Sequence, residues 1–500
     1  MNKFNSNRRR SAYLSCKRYT LLTGATGLLG SYLMRDLLLK GQRLAVLVRP
    51  KGKQQARERI EAILQMWETE LQLRLPRPVI LVGDVKQTNL GLSEKQTTWV
   101  AEFCDEIVHA AAVLTFHGPS RDQEPWATNL DGTKNVVRLA NECKIRNLHY
   151  VSTAYVCGQR DSVVHESELA TGQTFRNDYE QSKYEAECLI QQAEGFESKT
   201  IYRPAVIVGD SQTGYTSTYH GLFLYLRLMA MLVPSQEANE DGIIETPIKL
   251  PMEGTEPRNL VPIDWVSKAI SHLVTTPEAH GRTYHLTPDK CTNAREVIEY
   301  CYAYFNSRGV EFCGSESACD LDENDEFARK LFENTDIYSS YETSDPTYDK
   351  SNLVQFAGHL ACPHIDQEMI FKFLDFGKAQ NWGKRRSKPP QVTRWIESHL
   401  TEIALAAQKT MSALRISTNE RSFHLGLDIY GPGGGQWQLT TIDGKFLVTP
   451  GLPDESCPVL KLNDLQINDL LLRDQTESSS DDRQIDWTQP LETVMTPPTG

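Results

Sequence analysis

One short segment, Thr23-Gly-Ala-Thr-Gly-Leu-Leu-Gly30, constrains the fold of this chain more than any other. It follows the apolar pair Leu21-Leu22 and precedes a helical pattern over residues 31–40, which Gly41 is well placed to end. In such a strand–loop–helix unit the first glycine permits a tight turn, the second lets a pyrophosphate approach the backbone, and the third lets the helix pack on the strand. The N–H groups that begin the helix are free to bind the pyrophosphate. The segment predicts a dinucleotide site made by Thr23, Gly24, Thr26, Gly27, Leu28, Leu29 and Gly30.

Strand and helix patterns alternate after this loop. Continuous apolar runs such as Leu44–Val48 are typical of strands that helices cover on both faces of a parallel sheet. Further strands are predicted at 79–82, 106–112, 148–151, 200–203 and 284–286, and helices at 57–65, 129–142, 179–193 and 266–274. The alternation predicts an α/β fold: a Rossmann-type doubly wound parallel sheet with a smaller substrate subdomain, plus a small C-terminal α+β domain.

Five hundred residues exceed what one hydrophobic core usually serves, so we divide the chain into parts. The parts are a disordered basic leader (1–18), a main domain (19–383), a linker (384–394), a small α+β domain (395–475) and a disordered acidic tail (476–500). Within the main domain we expect the Rossmann core at about 19–215 and the substrate subdomain at about 216–383, with an irregular acidic excursion at 315–350. Within the small domain we predict a helix at 392–414 and strands at 422–430 and 437–449.

The composition argues against several classes of protein. A net charge of −12 argues against nucleic-acid binding, which requires a basic surface. No apolar segment follows the basic N-terminus, so we expect no secretory signal. The 11 cysteines include no CxxC pair and no spacing suited to zinc, so we expect reduced thiols in a cytoplasmic protein and no metal site.

The longest apolar stretch, residues 221–233, is too short to span a bilayer and contains Arg227. We predict that it forms a buried helix. The alternative is a functional one, in which the helix provides an apolar wall for a lipid chain or a peripheral contact with a membrane.

The residues after the second predicted strand indicate which dinucleotide is bound. An NAD enzyme normally places Asp or Glu there against the ribose 2′-hydroxyl, whereas this chain has Arg49 followed by Lys51 and Lys53. A cation suits a 2′-phosphate, so the sequence favours NADPH over NADH. The alternative is that Arg49 is a surface charge in a loop.

The GxxGxxG spacing of the loop resembles that of the extended short-chain dehydrogenase/reductase superfamily. This resemblance implies that Asp84 and Val85, after the third strand, lie at the adenine edge of the cofactor; a solvated turn is the alternative. It also implies that the cofactor lies along the small residues Ala110, Ala111 and Ala112, which could instead serve packing alone.

Tyr179 and Lys183 are four residues apart on a predicted helix, so both side chains can face one cleft. A free phenol has a pKa of about 10 and is a poor proton donor or base near neutrality. A nearby ammonium lowers that pKa, and Lys183 is expected to tune Tyr179 in this way. Thr153 follows the fifth predicted strand, at the sheet edge where the active-site crevice of such folds lies.

Four segments carry a narrower resemblance. They are 151–158 (VSTAYVCG), 202–214 (YRPAVIVGDSQTG), 129–133 and 261–264. With them, residues 19–383 resemble the fatty acyl-CoA reductase and thioester-reductase (male-sterility) branch of the superfamily, which includes the terminal domains of carboxylic acid reductases. The resemblance implies a catalytic set of Thr153, Tyr179 and Lys183, with Pro204 and Val206 along the nicotinamide and Asn129 as a supporting polar residue.

The reaction implied by this branch is hydride transfer from NADPH to the carbonyl of an acyl thioester, linked to coenzyme A or to a carrier protein. Tyr179 and Thr153 would hydrogen-bond the developing oxyanion, while Lys183 would hold the nicotinamide ribose. Collapse of the hemithioacetal releases an aldehyde, and a second hydride would give the alcohol; the sequence leaves both outcomes open. Residues 215–255 match the branch only loosely, so the substrate is less constrained than the cofactor.

Three other functions stay open. The first is a dehydrogenase or ketoreductase acting on a sterol-like or other alcohol. The second is a nucleotide-sugar epimerase or dehydratase, against which Arg49 argues because such enzymes hold NAD. The third is an NADP-sensing scaffold without catalysis, which would be expected to lack Tyr179 or Lys183.

The small C-terminal domain faintly resembles a sterol-carrier-like lipid-binding domain at residues 433–437, 443–444 and 464–472. Such a domain would hold an acyl chain in an apolar tunnel, in keeping with a fatty thioester substrate. The alternative is a cap or a dimerisation module, which would make the protein a homodimer.

Overall fold

The computed structural model describes residues 19–250, 252–314, 344–384, 399–400, 402–403, 422–442, 445–454, 457–463 and 466–467. The predicted leader, the tail and most of the acidic excursion, the linker and the 392–414 helix lie outside these residues.

Regular elements alternate through most of the described chain. The helices are α1 (Leu28–Leu39), α2 (Ala56–Leu71), α3 (Glu94–Phe103), α4 (Gly132–Glu142), α5 (Asp178–Gln192), α6 (Leu222–Leu232), α7 (Ile263–Val274), α8 (Ala294–Phe305), α9 (Ser351–Ala357) and α10 (Gln367–Ala379). The strands are β1 (Tyr19–Thr23), β2 (Leu44–Val48), β3 (Val79–Val82), β4 (Cys104–His109), β5 (Asn147–Val151), β6 (Ser198–Pro204), β7 (Val206–Val208), β8 (Ile244–Leu250), β9 (Leu260–Pro262), β10 (Thr283–Leu286), β11 (Ser307–Phe312), β12 (Ser422–Tyr430), β13 (Gly435–Ile442), β14 (Lys445–Pro450) and β15 (Val459–Asn463).

Seven parallel strands form the central sheet in the order β10-β6-β5-β4-β1-β2-β3. Helices α1, α2 and α7 bury one face, where Leu22, Val108 and Tyr202 lie in their core. Helices α3, α4 and α5 bury the other face around Leu21 and Ile107. Because apolar side chains are needed on both faces, strands such as β2 read as continuous apolar runs. The predicted α/β fold with a doubly wound parallel sheet is confirmed.

Three expectations about this domain need correction. The fourth strand ends at His109, because the chain turns there against the glycine loop, and residues 110–112 continue without strand structure. The helix predicted from residue 129 begins as a π-helical turn, Ala127–Asp131, before α4. The seventh strand of the sheet is β10, so the Rossmann core extends beyond residue 215 into the segment assigned to the substrate subdomain.

A second layer of elements lies beyond β6. Strands β8 and β11 pair in parallel, as do β7 and β9. Helices α6 and α10 share an apolar core that includes Phe223, Leu226 and Phe373. The apolar stretch therefore forms a helix that is buried along one side, as predicted, while Met231 on its other side is 53% exposed. Within the described ranges, no helix is both long and apolar enough to cross a membrane.

A four-stranded sheet, in the order β14-β13-β12-β15, forms the described part of the C-terminal region. The single strand predicted at 437–449 is two strands, β13 and β14, which pair antiparallel. This sheet packs on the main domain. The Tyr19 hydroxyl donates to Gln436 Oε1 at 2.7 Å, and the indole N–H of Trp99 donates to the carbonyl of Pro450 at 2.9 Å.

One expectation about the cysteines is wrong. Cys313, which follows β11, is disulfide-bonded. Spacing along a chain does not reveal which cysteines the fold brings within the short distance that a disulfide needs. Among the described cysteines, the thiols at 157, 188, 291, 301 and 362 are free, as expected.

Candidate active site

The glycine loop packs directly against the end of β4. Gly24 has φ +78°, and a Cβ there would lie 2.7 Å from the carbonyl carbon of Ala110. A Cβ on Gly30 would lie 2.0 Å from the carbonyl oxygen of Gly24. Thr23 joins the two segments, because its hydroxyl contacts His109 Nδ1 at 2.7 Å and accepts the N–H of Ala111 at 3.3 Å. Glycine is therefore required at both positions for the loop to take this form.

The loop presents an open helix start. Helix α1 begins at Leu28, and Gly27 precedes it without any side-chain cap. Gly27 is exposed, and Thr26, Leu28 and Leu29 are half-buried. The first N–H groups of a helix have no partner within the helix, so they are available to an anion such as a pyrophosphate. The loop thus fits the phosphates of a dinucleotide.

Two arginines stand beside the loop. Arg49 follows β2 and donates to Asp84 Oδ2 at 3.2 Å. Arg59, on α2, donates to the Thr26 hydroxyl at 2.8 Å and to the carbonyl of Arg49 at 2.5 Å. Burial, together with the neighbouring charge of Arg49, lowers the pKa of Arg59. Val85, next to Asp84, is buried. Sequence reasoning found Arg49 and Asp84 but missed Arg59, because no motif links a helix residue to the loop.

The structure brings Thr153, Tyr179 and Lys183 together at the carboxyl end of β5. Asn177 caps α5 by accepting the N–H of Glu180 at 3.0 Å, which fixes the first turn that carries Tyr179. Tyr179 is half-buried and is hydrogen-bonded to Thr153. Lys183 is buried, and its ammonium donates to the carbonyl of Val151 at 2.7 Å.

The pKa values of Tyr179 and Lys183 differ from the expectation. Burial and the charge of Glu180 raise the pKa of Tyr179 to about 12, against the hydrogen bond that it shares with Thr153. Burial lowers the pKa of Lys183 to about 7, against the charge of Glu187. The expected lowering of the Tyr179 pKa by Lys183 is therefore wrong for this structure. Burial disfavours the charged form of both side chains, so neither provides a full charge that would strongly favour ionisation of the other.

Asn129 lies behind the site rather than in it. Its amide donates to the Ser182 hydroxyl at 3.0 Å and to the carbonyl of Val113 at 3.1 Å, and its oxygen accepts the N–H of Val113 at 2.9 Å. It therefore joins α5 to the segment that follows Ala112. This arrangement fits a supporting polar residue.

A buried ion pair, which sequence reasoning missed, supports the catalytic candidates from below. Glu187 lies one turn beyond Lys183 on α5 and accepts a hydrogen bond of 2.6 Å from Arg203 Nη2 of β6. The same carboxylate accepts the Ser152 hydroxyl at 2.5 Å. Glu187 and Arg203 are at most 1% exposed. The one sequence signal that could have identified Glu187 is its position four residues after Lys183, which is itself four residues after Tyr179.

Pro204 ends β6, and its carbonyl accepts the Thr153 hydroxyl at 3.5 Å. Val206 is half-buried on β7. The segment that follows folds as a turn around Asp210, whose carboxylate accepts the N–H groups of 212 and 213 at 2.9 Å and the Tyr32 hydroxyl at 2.9 Å. These polar residues of the 202–214 segment therefore serve the architecture of the domain.

Residues 22–270 match the family model described as male sterility protein. This region belongs to that family. The expected resemblance is confirmed, and the male sterility domain accounts for the glycine loop, α5 and the β6 segment together.

Several known proteins are similar to a longer part of this chain than the male sterility domain, residues 22–270. A solved terminal R domain from the myxalamid PKS-NRPS biosynthetic pathway is 28% identical, covers 75% of this chain and 93% of its own, and superposes with a TM-score of 0.60. A linear gramicidin synthase of Brevibacillus parabrevis is 29% identical over 376 residues, and an aldehyde reductase of Aspergillus flavus is 26% identical over 404 residues. These two matches cover 71% and 74% of this chain but only 7% and 37% of the relatives. The male sterility domain is thus an NAD(P)H-dependent oxidoreductase of the extended short-chain type.

Proposed function

We propose that this protein reduces an acyl thioester, carried on the prosthetic thiol of a carrier protein or on coenzyme A, to an aldehyde with NADPH. The observation that carries the proposal is the meeting of Thr153, Tyr179 and Lys183 at the sheet edge that also bears the glycine loop. The identity of 28% to a terminal R domain of a PKS-NRPS pathway supports a carrier-linked substrate.

NADPH is favoured over NADH by the two arginines beside the loop. Arg49 is 55% exposed along its side chain, so most of the guanidinium can turn toward a ligand. Arg59 already holds the Thr26 hydroxyl within the loop. Two cations suit the dianionic 2′-phosphate, and Asp84, which faces Arg49, is engaged with that cation. The cofactor, when bound, supplies the hydride from its nicotinamide.

The residues of the site have separate tasks in this reaction. The hydroxyls of Thr153 and Tyr179 donate hydrogen bonds to the carbonyl oxygen as negative charge develops on it. Tyr179 then gives its proton to that oxygen. Lys183 orients the cofactor ribose, and Glu187 holds the helix turn beneath it through Arg203. When the hemithioacetal collapses, the C–S bond breaks, the hydroxyl proton passes to the departing sulfur, and thiol and aldehyde are released. Tyr179 then regains its proton from solvent.

The raised pKa of Tyr179 keeps its phenol in the protonated form that the proposed reaction requires. A phenol whose pKa is about 12 stays protonated at neutral pH and can donate to an alkoxide of similar basicity.

A panel of substrates tests the proposal. Purified protein is given NADPH or NADH with a carrier-linked acyl thioester, an acyl-CoA, a hydroxysteroid or a nucleotide sugar, and the products are identified. We expect aldehyde from a thioester with NADPH, and a smaller preference for NADPH in the Arg59→Ala variant. Turnover of the steroid or the sugar with no thioester reduction would overturn the proposal.

A further inference from the structure

Three side chains that the proposed reaction does not use converge on the sheet face covered by α7. Glu106 comes from β4, His149 from β5, and His280 from the segment between α7 and β10. One potential ligand atom from each lies within 4.8 Å of those of the other two. Within the described residues, this is the sole group of three or more acidic, histidine or cysteine side chains with such spacing.

Each of the three side chains is oriented by a further partner. The Nδ1 of His149 contacts the Tyr202 hydroxyl at 2.8 Å. Oε2 of Glu106 accepts the Thr20 hydroxyl at 2.8 Å, which leaves Oε1 directed at His149 Nε2, 3.0 Å away.

His280 is fixed in the same way. Its Nε2 donates to the carbonyl of Val274 at 3.0 Å, so the lone pair of the neutral ring lies on Nδ1. The rings of His149 and His280 meet edge to face, with centroids 4.6 Å apart. A hydrogen bond to the second ring nitrogen, and one to the second carboxylate oxygen, is the arrangement that surrounds metal ligands in proteins.

We propose that Glu106, His149 and His280 bind a divalent transition-metal ion, with Zn²⁺ as the best fit. Two imidazoles and a carboxylate are a common protein ligand set for zinc, with water in the fourth position. Imidazole nitrogen favours Zn²⁺ over Mg²⁺ and Ca²⁺, which prefer oxygen. The ion would replace the hydrogen bond between His149 Nε2 and Glu106 Oε1, and the neutral imidazole would carry its proton on Nδ1, which faces the Tyr202 hydroxyl.

The ion would have access and a structural effect. His149 is fully buried, but the side chain of Glu106 is 13% exposed and His280 is half-buried, so solvent reaches one side of the group. The ligands tie two central strands to the segment that leads into β10, the edge strand of the sheet. They lie on the strands, whereas Thr153 and the glycine loop follow strand ends. The ion is therefore expected to stabilise the fold without entering the reaction.

The chain offers a matched control for this site. His272 and His359 also meet edge to face, with ring centroids 4.7 Å apart, and His272 Nε2 is hydrogen-bonded to the carbonyl of Phe356 at 2.9 Å. Among the residues that the structure describes, no third ligand completes this second pair. A histidine pair alone should bind zinc far more weakly than a pair completed by a carboxylate.

The experiment uses the full chain without a histidine tag, stripped of metal, and compares wild type with His280→Gln, Glu106→Gln and His272→Gln. Bound metal is measured after equilibrium dialysis with Zn²⁺, and thermal midpoints are measured with Zn²⁺ or Mg²⁺. We expect one zinc per chain and a midpoint raised by several degrees for wild type and His272→Gln. We expect neither effect for His280→Gln and Glu106→Gln, and none with Mg²⁺.

His280 is half-buried, so His280→Gln keeps the inference testable if Glu106→Gln fails to fold; circular dichroism establishes which variants are folded. Absence of stoichiometric zinc in wild type would overturn the inference. Equal zinc binding by wild type and His280→Gln would place the ion elsewhere and overturn it as well.

Discussion

Tyr179 is the residue on which the proposed chemistry depends most. Its hydroxyl is the proton donor to the substrate oxygen, so Tyr179→Phe should lower kcat about 10²–10⁴-fold. The ring remains to pack near Phe116, with centroids 6.5 Å apart, so the affinity for NADPH should stay close to that of wild type. Steady-state kinetics and fluorescence titration with NADPH measure the two quantities.

A matched control for this variant lies on the same helix. Tyr184 packs against Phe175, with ring centroids 4.9 Å apart, and its position along α5 puts it on a different face from Tyr179 and Lys183. Tyr184→Phe should retain wild-type turnover. A Tyr179→Phe enzyme with more than a tenth of wild-type kcat would exclude this residue as the proton donor.

Lys183 makes the stability of the free protein depend on pH in a defined direction. Its pKa is about 7 in the fold and about 10.4 in an unfolded chain. Between these values the unfolded chain binds a proton that the folded chain does not, so the free energy of unfolding rises with pH, by at most about 1.4 kcal/mol per unit. The benefit is complete above about pH 10.4 and is lost as the pH falls through about 7.

Lys183→Met removes this contribution. Urea denaturation at about pH 7.5 and about pH 9.5 should show that wild type gains stability relative to the variant at the higher pH. Lys134→Met, at a side chain that is 51% exposed, should show no such difference. A constant gap between wild type and Lys183→Met would mean that Lys183 titrates normally in the fold.

At the residue scale, the sequence predicted those site residues whose positions follow from their spacing within one helix or from their place at the end of a strand. Tyr179 and Lys183 are one helical turn apart, and Thr153 follows a strand, so their meeting follows from topology. Arg59 and Glu187 could not be assigned in that way, because their partners, Thr26 and Arg203, come from other elements. The pKa values were also out of reach, since they depend on burial that no motif encodes.

At the scale of elements, α5 and β6 are joined by the buried pair of Glu187 and Arg203. Glu187→Ala would leave the guanidinium buried without its partner and should lower the free energy of unfolding by roughly 3–5 kcal/mol. The matched control is Glu185→Ala on the same helix, whose ion pair with Arg121 is largely exposed and should contribute less than about 1 kcal/mol. Chemical denaturation measures both. Equal losses would show that burial does not set the contribution.

The types of the elements were predictable because the period of the apolar residues and the length of each apolar segment distinguish buried strands from amphipathic helices. The pattern identified six of the seven strands of the central sheet before residue 215 and a seventh at 284–286, but it could not show that this last strand returns to the edge beside β6. The ends of the strands were harder to predict from the sequence. Ala110–Ala112 is as apolar as the strand before it, and the approach of Gly24 to Ala110, not a change in composition, ends β4 there.

At the scale of the whole molecule, the C-terminal sheet is held on the main domain through aromatic side chains. Trp99 is 9% exposed and packs between Tyr19 and Phe103 while its N–H bonds Pro450. Trp99→Ala should lower the free energy of unfolding by about 3–5 kcal/mol and increase hydrogen exchange in β13 and β14. Unchanged exchange in those strands would show that the C-terminal sheet is stable by itself.

We propose that this C-terminal part acts as a small cap on the side of β3 and α3, away from the catalytic residues. The sequence indicated strands there but not where they pack on the main domain. That position depends on hydrogen bonds between residues far apart in the chain, such as Trp99 and Pro450, which are separated by 351 positions.

The proposed reaction transfers a hydride from C4 of the nicotinamide to the carbonyl carbon of the acyl group, and an isotopic label follows that hydride directly. The enzyme is mixed, in a single turnover, with a carrier-linked acyl thioester and NADPH that carries deuterium at both hydrogen positions of nicotinamide C4, and the acyl product is analysed by mass spectrometry. We predict an aldehyde with one deuterium on its carbonyl carbon, one thiol released per NADPH oxidised, and formation of this product at least about 10²-fold more slowly by Tyr179→Phe. Thiol release with an unlabelled carboxylic acid, or NADPH oxidation without label in the acyl product, would contradict the account.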